Sequence, residues 1–275
     1  MKTKMKYVAK QPDQQGHIAY SAEENGTWQI LYERQLKTVQ NRACAAFIEG
    51  IAKLNMPQNR VPQLQDLSRA LQSCTGWSVA PVPALITHDV FFQLLSERKF
   101  PAATFIRRRE ELDYLEEPDI FHEFFGHCPL IAHQVFADFL KAYADLTLTF
   151  SIEKERELMA RLFWFTVEFG LINSSQGPVC YGGGILSSHG ETIYAVDSPK
   201  PQRQKFDILT ALRTPYRIDI MQPTYFVIDD FSQLFDIIHA DMPALLAEAK
   251  QLGEFQPTFP VATQKDKDNE EWVTC

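Results

Sequence analysis

The chain has 275 residues, 45% of them hydrophobic, with a formal charge of −8 and a pI near 5.4. That is enough to bury a sizeable core, and twenty Phe, nine Tyr and four Trp make it an aromatic one. An acidic chain without a long basic run is a poor match for nucleic acid or an anionic membrane, and its apolar runs fall far short of the ~18–20 residues of a membrane span.

The opening residues, MKTKMKYVAKQPDQQ, carry charge with no apolar stretch behind them, which argues against a secretory signal. Residues 1–26 read as a polar N-terminal arm, ordered on contact or loose. From Thr27, a plausible N-cap, the residues Trp28, Tyr32, Leu36, Val39, Ala43, Phe47, Ile51 and Leu54 recur at threes and fours, predicting one amphipathic helix that ends at Asn55-Met56-Pro57. Pro62 opens a second helix with Leu64, Leu67 and Leu71 inward, stopped near Gly76. Pro81 and Pro83 make Trp77–Ile86 extended or looped. Thr87 caps a short helix bearing Phe91, Phe92, Leu94 and Leu95, and residues 100–107 read as a short strand.

Pro118 suits the first turn of a helix that Pro129 cannot let run far. Helices follow at about 132–147 and 152–170. The run YGGGILSSHGETIY, 181–194, is Gly-rich and then β-like. Pro199 and Pro201 mark a loop, TYFVI within 216–228 is β-like, and Phe231–Leu252 is helical again. Residues 263–275 form a polar tail. With no internal repeat and no linker, the prediction is a single domain over 27–262, mainly α with a few short strands (α+β). The cysteines, Cys44, Cys74, Cys128, Cys180 and Cys275, are odd in number and irregularly spaced, without a CxxC pair. They read as reduced thiols of a cytoplasmic protein.

Within EPDIFHEFFGHCP, His122 and His127 are five apart. On an α-helix that offset points the two side chains roughly 140° apart. They can share a metal only if the chain distorts between them, and Gly126 is where a helix end or a π-type bulge would do it. The spacing excludes the zinc-peptidase pattern H-E-x-x-H, which needs His at i and i+4. Core or capping histidines are the ordinary alternative. Against it stand the large apolar neighbours Ile120, Phe121, Phe124 and Phe125, and a carboxylate downstream. That carboxylate is Glu168, in the apolar run LFWFTVEFGL. An ionised Glu there costs several kcal/mol, on the order of a buried ion's penalty, unless a metal or a cation pairs with it. The local alternatives are a raised pKa or an Arg partner, and Arg161 lies seven residues back on the same face. Two His and one carboxylate compose the facial triad of non-haem iron(II) sites; a structural zinc with Cys128 as a further ligand is the other composition the residues allow.

The runs EPDIFHEFFGHCPL, FWFTVEFGL and YGGGILSSHGE, with CTGWSVAPVPALI and IRRREELDYLEEPD upstream, closely resemble the catalytic domain of the aromatic amino acid hydroxylases. These are tetrahydropterin-dependent iron monooxygenases, and the resemblance covers roughly Trp28 to Phe231. It implies that fold, Fe(II) as metal, and a tetrahydropterin such as tetrahydrobiopterin with O2 as cosubstrates. It places the iron ligands on His122, His127 and Glu168. It places Arg107 on the substrate carboxylate, a task suited to a planar guanidinium fork. It implies Trp164 against the substrate ring, with Tyr114, Gly184, Ser187 and Ile218 also lining that pocket. The pterin is expected along Val82, Ala84, Leu85 and Ile86, stacked on Phe91, with Glu123 facing it. Ala84 stands where relatives have Gly, and Leu115-Glu116 where animal relatives have Thr-Pro. Trp164 and the apolar Ile218 point to the branch acting on phenylalanine, since a phenol against Ile218 would leave its hydroxyl unpaired. The length matches a stand-alone catalytic domain, expected to be a monomer.

Overall fold

The first helix starts at Ser21 rather than Thr27 in the computed structural model of the chain, which describes residues 7–83, 86–115 and 117–259. The Ser21 hydroxyl accepts from the Glu24 N–H while the Glu24 carboxylate accepts from the Ser21 N–H, a reciprocal capping box that opens α1, Ala22–Thr38. Thr27 lies inside the helix with its hydroxyl on the Glu23 carbonyl. The arm before it is ordered by contact over its described part: Ile18 is buried and Tyr7 stacks on Phe105 at 4.5 Å.

The single long helix expected over 28–54 is two. Asn41 turns left-handed at φ 60°, and α2, Ala45–Leu54, starts after it. The break has a tertiary cause: the Cys180 backbone accepts from Cys44 N–H at 2.9 Å and donates to the Arg42 carbonyl at 2.7 Å. Both halves face one core, so the apolar stripe runs on across the break. α3, Leu64–Thr75, stops at Gly76 with φ 76°, as expected. The proline-bearing stretch after it forms β1, Ser78–Val82, parallel to β2, Lys99–Ala103, with α4, His88–Ser96, between them. Thr87 caps α4 through the Val90 N–H.

Six residues, His122–His127, then form a π-helical segment that runs into α5, Cys128–Ile131. α6 spans Gln134–Thr147, and α7, Glu153–Phe163, continues into a second π-helical segment, Trp164–Glu168. A four-stranded sheet of order β4-β3-β6-β5 closes this end. β3, Leu171–Ser174, and β4, Gly177–Cys180, form a hairpin that the sequence reading did not include. β6, Thr224–Ile228, lies parallel to β3 and to β5, Gln202–Lys205.

The β-like expectation for 181–194 is wrong. The run folds as α8, Gly183–Leu186, and α9, His189–Asp197, because Ser188 accepts from the Glu191 N–H and starts a helix where alternation suggested a strand. α10 follows at Ile208–Arg213. The last helical stretch is broken: a 3-10 turn leads into α11, Phe235–His239, and Asp241 caps α12, Met242–Leu252, with Pro243 in its first turn. The prediction of a mainly helical fold with a few short strands holds. Cys44, Cys74, Cys128 and Cys180 are free thiols. No helix among the described residues is long and apolar enough to cross a membrane. The tail at 263–275, with Cys275, lies outside the described residues.

Candidate metal centre and active-site cavity

The two π-helical segments carry all three expected metal ligands. In the first, the Cys128 N–H bonds the Glu123 carbonyl, five residues back, instead of the α-helical four. The wider turn brings a residue five positions on back to the same face. His122 and His127 therefore meet, Nε2 to Nε2, at 3.1 Å. In the second, the Phe169 N–H bonds the Trp164 carbonyl at 2.8 Å, and Glu168 at its end faces the histidines. Its Oε1 lies 3.2 Å from His127 Nε2 and its Oε2 lies 3.8 Å from His122 Nε2.

Gly126 acts otherwise than expected. A Cβ there would sit 2.6 Å from the Gly183 carbonyl oxygen and 3.1 Å from Ser187 Cβ, so the residue is small because α8 packs directly on it. The glycine run at the start of α8 presses on the ligands themselves. A Cβ on Gly183 would run into the His127 ring, and one on Gly184 would stand 2.9 Å from Glu168 Oε2. Ser187, on the same turn, donates to the Gly183 carbonyl at 2.9 Å and so accepts from His122 Nδ1, also at 2.9 Å. That bond fixes the tautomer with the lone pair on Nε2, toward Glu168.

These groups fit a metal ion. Two nitrogens about 2.1 Å from one ion at a right angle stand roughly 3 Å apart, as the Nε2 pair does. Burial and the neighbouring His127 push the His122 imidazole down to about 4, so it is a neutral donor near pH 7. Burial alone would raise the Glu168 carboxyl, but the two imidazoles and the Gly184 N–H outweigh it and hold the group below its ordinary range. Among the described residues its buried Oε1 has no hydrogen-bond partner, with only the His127 Nε2 lying 3.2 Å away, which is costly for a carboxylate without a cation. Arg161, the alternative partner, is turned away to the Leu212 carbonyl at 2.7 Å and to Glu254 at 2.6 Å. An oxygen of Glu123 also comes within 4.8 Å of both histidine donors. Burial and the Glu168 charge push its carboxyl well above the ordinary carboxylate range, which disfavours it as an anionic ligand next to Glu168. The donor cluster among the described residues is His122, Glu123 and His127; Glu168 joins it through its approaches of 3.2 and 3.8 Å to the two Nε2 atoms, and Cys128 is in neither set.

A cavity of about 290 Å³ opens on this centre, with His122 and Glu168 in its floor. Every residue expected to touch a substrate lines it: Arg107, Tyr114, Trp164, Gly184, Ser187 and Ile218. Tyr114 is half exposed at the mouth. Arg107 is buried and held by Asp119, whose two oxygens take its Nε–H at 2.8 Å and Nη2–H at 2.9 Å. Its Nη1 bonds no protein group among the described residues. Asp119 also accepts from the backbone N–H of Arg107 at 2.9 Å and of His122 at 3.1 Å, so one carboxylate ties the arginine to the start of the metal-binding segment. Pro118 precedes that helix rather than sitting in its first turn. Asp119 was missed by sequence reading; its position three residues before His122, where an N-cap would stand, is the one signal that could have found it.

The pterin residues are not gathered in this cavity. Phe91 is buried, with its ring edge-on to Phe92 at 5.1 Å and Phe163 at 5.5 Å. Val82 ends β1 and Ile86 is half-buried near it. Glu123 is buried, and its Oε2 has no hydrogen-bond partner among the described residues. Ala84, Leu85 and Glu116 lie outside the described residues.

Comparison with known proteins agrees with this geometry. Residues 1–243 match the model of the biopterin-dependent aromatic amino acid hydroxylases. The phenylalanine-4-hydroxylase of Pseudomonas aeruginosa is 53% identical over 260 residues, 94% of this chain and 98% of that one. Among solved structures, the cold-active phenylalanine hydroxylase of Colwellia psychrerythraea superposes with a TM-score of 0.90 at 51% identity, over 94% of this chain and all of that one. The Chromobacterium violaceum enzyme with bound Fe(III) does so with a TM-score of 0.86 at 43% identity, over 93% and 92% of the two chains. A two-histidine, one-carboxylate centre under an arginine-ended cavity thus sits on a known scaffold, and the chain belongs to the biopterin-dependent aromatic amino acid hydroxylase family.

Proposed function

We propose that this chain hydroxylates L-phenylalanine at C4 to give L-tyrosine, with O2 and a tetrahydropterin as cosubstrates, at one iron(II) held by His122, His127 and Glu168. The observation that carries the site assignment is the convergence of both Nε2 atoms and the orphaned Glu168 Oε1 at the floor of a cavity ended by Arg107. The bound iron and pterin supply oxygen activation and the two electrons it needs. The chain's residues supply position. Arg107 receives the substrate carboxylate through Nη1 while Asp119 holds the rest of the fork in plane. Trp164 and Ile218 wall the phenyl ring and offer it no hydrogen-bonding group, which suits a ring without a hydroxyl. Ser187 keeps His122 in its ligating tautomer. Glu123, buried directly after the first ligand, faces the pterin, and Val82, Ala84, Leu85, Ile86 and Phe91 form the pterin side. We also read the protein as a cytoplasmic monomer, of 31.6 kDa.

An assay with Fe(II), tetrahydropterin and phenylalanine tests the reading. Tyrosine should form only with all three and O2 present. Glu168→Ala should bind no iron and make no tyrosine. Turnover without O2 or pterin would instead mean hydrolysis, and coupled turnover by Glu168→Ala would end the ligand assignment.

A further inference from the structure

Behind the cavity wall, outside its lining, lies Gln222, 1% exposed and with every polar atom of its side chain in use. Its Oε1 accepts the Trp164 Nε1–H at 3.2 Å. Its Nε2 donates to the Arg217 carbonyl at 2.7 Å and to the Ile220 carbonyl at 3.0 Å. The amide has one acceptor and two donors, and this arrangement admits one orientation: turned over, it would set an NH2 against the indole N–H. Its own backbone N–H goes to Glu191 Oε1 at 2.9 Å, an oxygen that also accepts from the Tyr225 hydroxyl. Gln222 is thus pinned to β6 and α9 and in turn grips two things. One is the indole, itself stacked on Phe169 at 4.3 Å and Tyr216 at 4.6 Å. The other is the backbone of the loop from Arg217 to Met221, which carries Ile218 into the cavity.

We propose that Gln222 is a specificity-determining positioning residue: by joining the Trp164 wall to the loop that bears Ile218, it fixes the width of the slot and so selects a single-ring amino acid over a bicyclic one. The inference rests on the site reading above and deepens it. No catalytic contact is involved; the amide acts through the walls it holds. Replacing it with an apolar group of similar size frees the indole to tilt and removes the two bonds by which the amide holds the Arg217 and Ile220 carbonyls, and both changes widen the slot.

The test compares Gln222→Leu and Gln222→Glu, each in the Trp164 and Trp164→Phe backgrounds, with L-phenylalanine and L-tryptophan as substrates. For Gln222→Leu, the KM for phenylalanine should rise about tenfold with the KM for tetrahydropterin within about twofold of the parent, a split that general damage does not produce. The tryptophan-to-phenylalanine ratio of kcat/KM should rise about tenfold. Calorimetric binding of phenylalanine to the iron-loaded protein should weaken by the same factor. In the Trp164→Phe background, which has no Nε1–H, the Gln222→Leu effect should shrink to less than about half, as expected for two groups that act as a unit. Gln222→Glu keeps the acceptor and loses the donors; it should show a smaller shift in the same direction and gives the measurement if the leucine variant does not fold. A selectivity ratio that stays within about twofold, or full independence of the two substitutions, overturns the proposal. If the parent protein makes no tyrosine, the site reading fails; if it makes tyrosine and the ratio does not move, only the role of Gln222 fails.

Discussion

Asp119 is the residue on which two functions of the site hang. It is fully buried and accepts from the Nε–H and Nη2–H of Arg107 and from two backbone N–H groups, one of them that of His122. Burial by itself raises its pKa, but the Arg107 charge and these hydrogen bonds outweigh burial and hold it below the ordinary carboxylate value. A depressed native pKa stabilises the fold above the unfolded-state value of about 4 and stops doing so as pH falls through the native value. Asp119→Asn leaves a buried guanidinium without its counter-charge, a change of about 3–5 kcal/mol near neutrality. The expected outcome is a stability gap of that size at pH 7 that narrows below about pH 4, read by urea unfolding from pH 7 to pH 3. A gap independent of pH would show that the pair does not carry the linkage. None of this was visible in the sequence, because Asp119 reads as an ordinary cap until Arg107 is seen to fold back onto it.

At the scale of elements, the site is made of two π-helical segments laid against a glycine-rich turn. The first was legible. A five-residue gap between two ligands demands a distortion, and a π-helical segment was one of the two forms expected. The second was not, because Glu168 brings a single ligand and so no spacing constraint. The glycines were visible but their reason was not: Gly126, Gly183 and Gly184 are governed by the close approach of α8, a tertiary fact. The same limit explains the other misreadings. The break between α1 and α2 is imposed by Cys180, far along the chain, and the β-like reading of 181–194 yields to the Ser188 cap. The hairpin of β3 and β4 has strands of only four residues, too short to show a period. Gly183→Ala tests the element-level account, since its methyl group would enter the space of the His127 ring. Overpacking of this kind costs about 1–3 kcal/mol. Thermal unfolding should show that loss, and iron content per chain should fall with it. An alanine variant with full iron occupancy would mean that α8 can withdraw without disturbing the ligand.

Across the whole molecule, the centre joins parts of the chain that are otherwise separate: the segment after Asp119, the end of α7 and, through Ser187 and the glycines, α8. An ion bound there stabilises the native state alone, by about 2.7 kcal/mol when its concentration is a hundred times its Kd. Chelation should therefore lower the unfolding temperature, iron(II) should restore it, and Glu168→Ala should respond to neither; calorimetry with and without chelator reads all three. Fold class and ligand set were open to the sequence at this scale because apolar periodicity and residue type carry them. The substrate was open only through resemblance, since Trp164 and Ile218 acquire meaning from the cavity they share. The glycine cradle has one more consequence, for how such a protein changes over generations. The side chains proposed to hold the metal are braced by glycines packed directly against them, where an added methyl group has no room. On the proposed substrate side Ile218 stands on a loop, where other side chains fit more easily. Mutation can therefore explore new substrates at 218–221 while the oxidising centre is inherited unaltered, so chemistry and choice of substrate evolve on separate clocks.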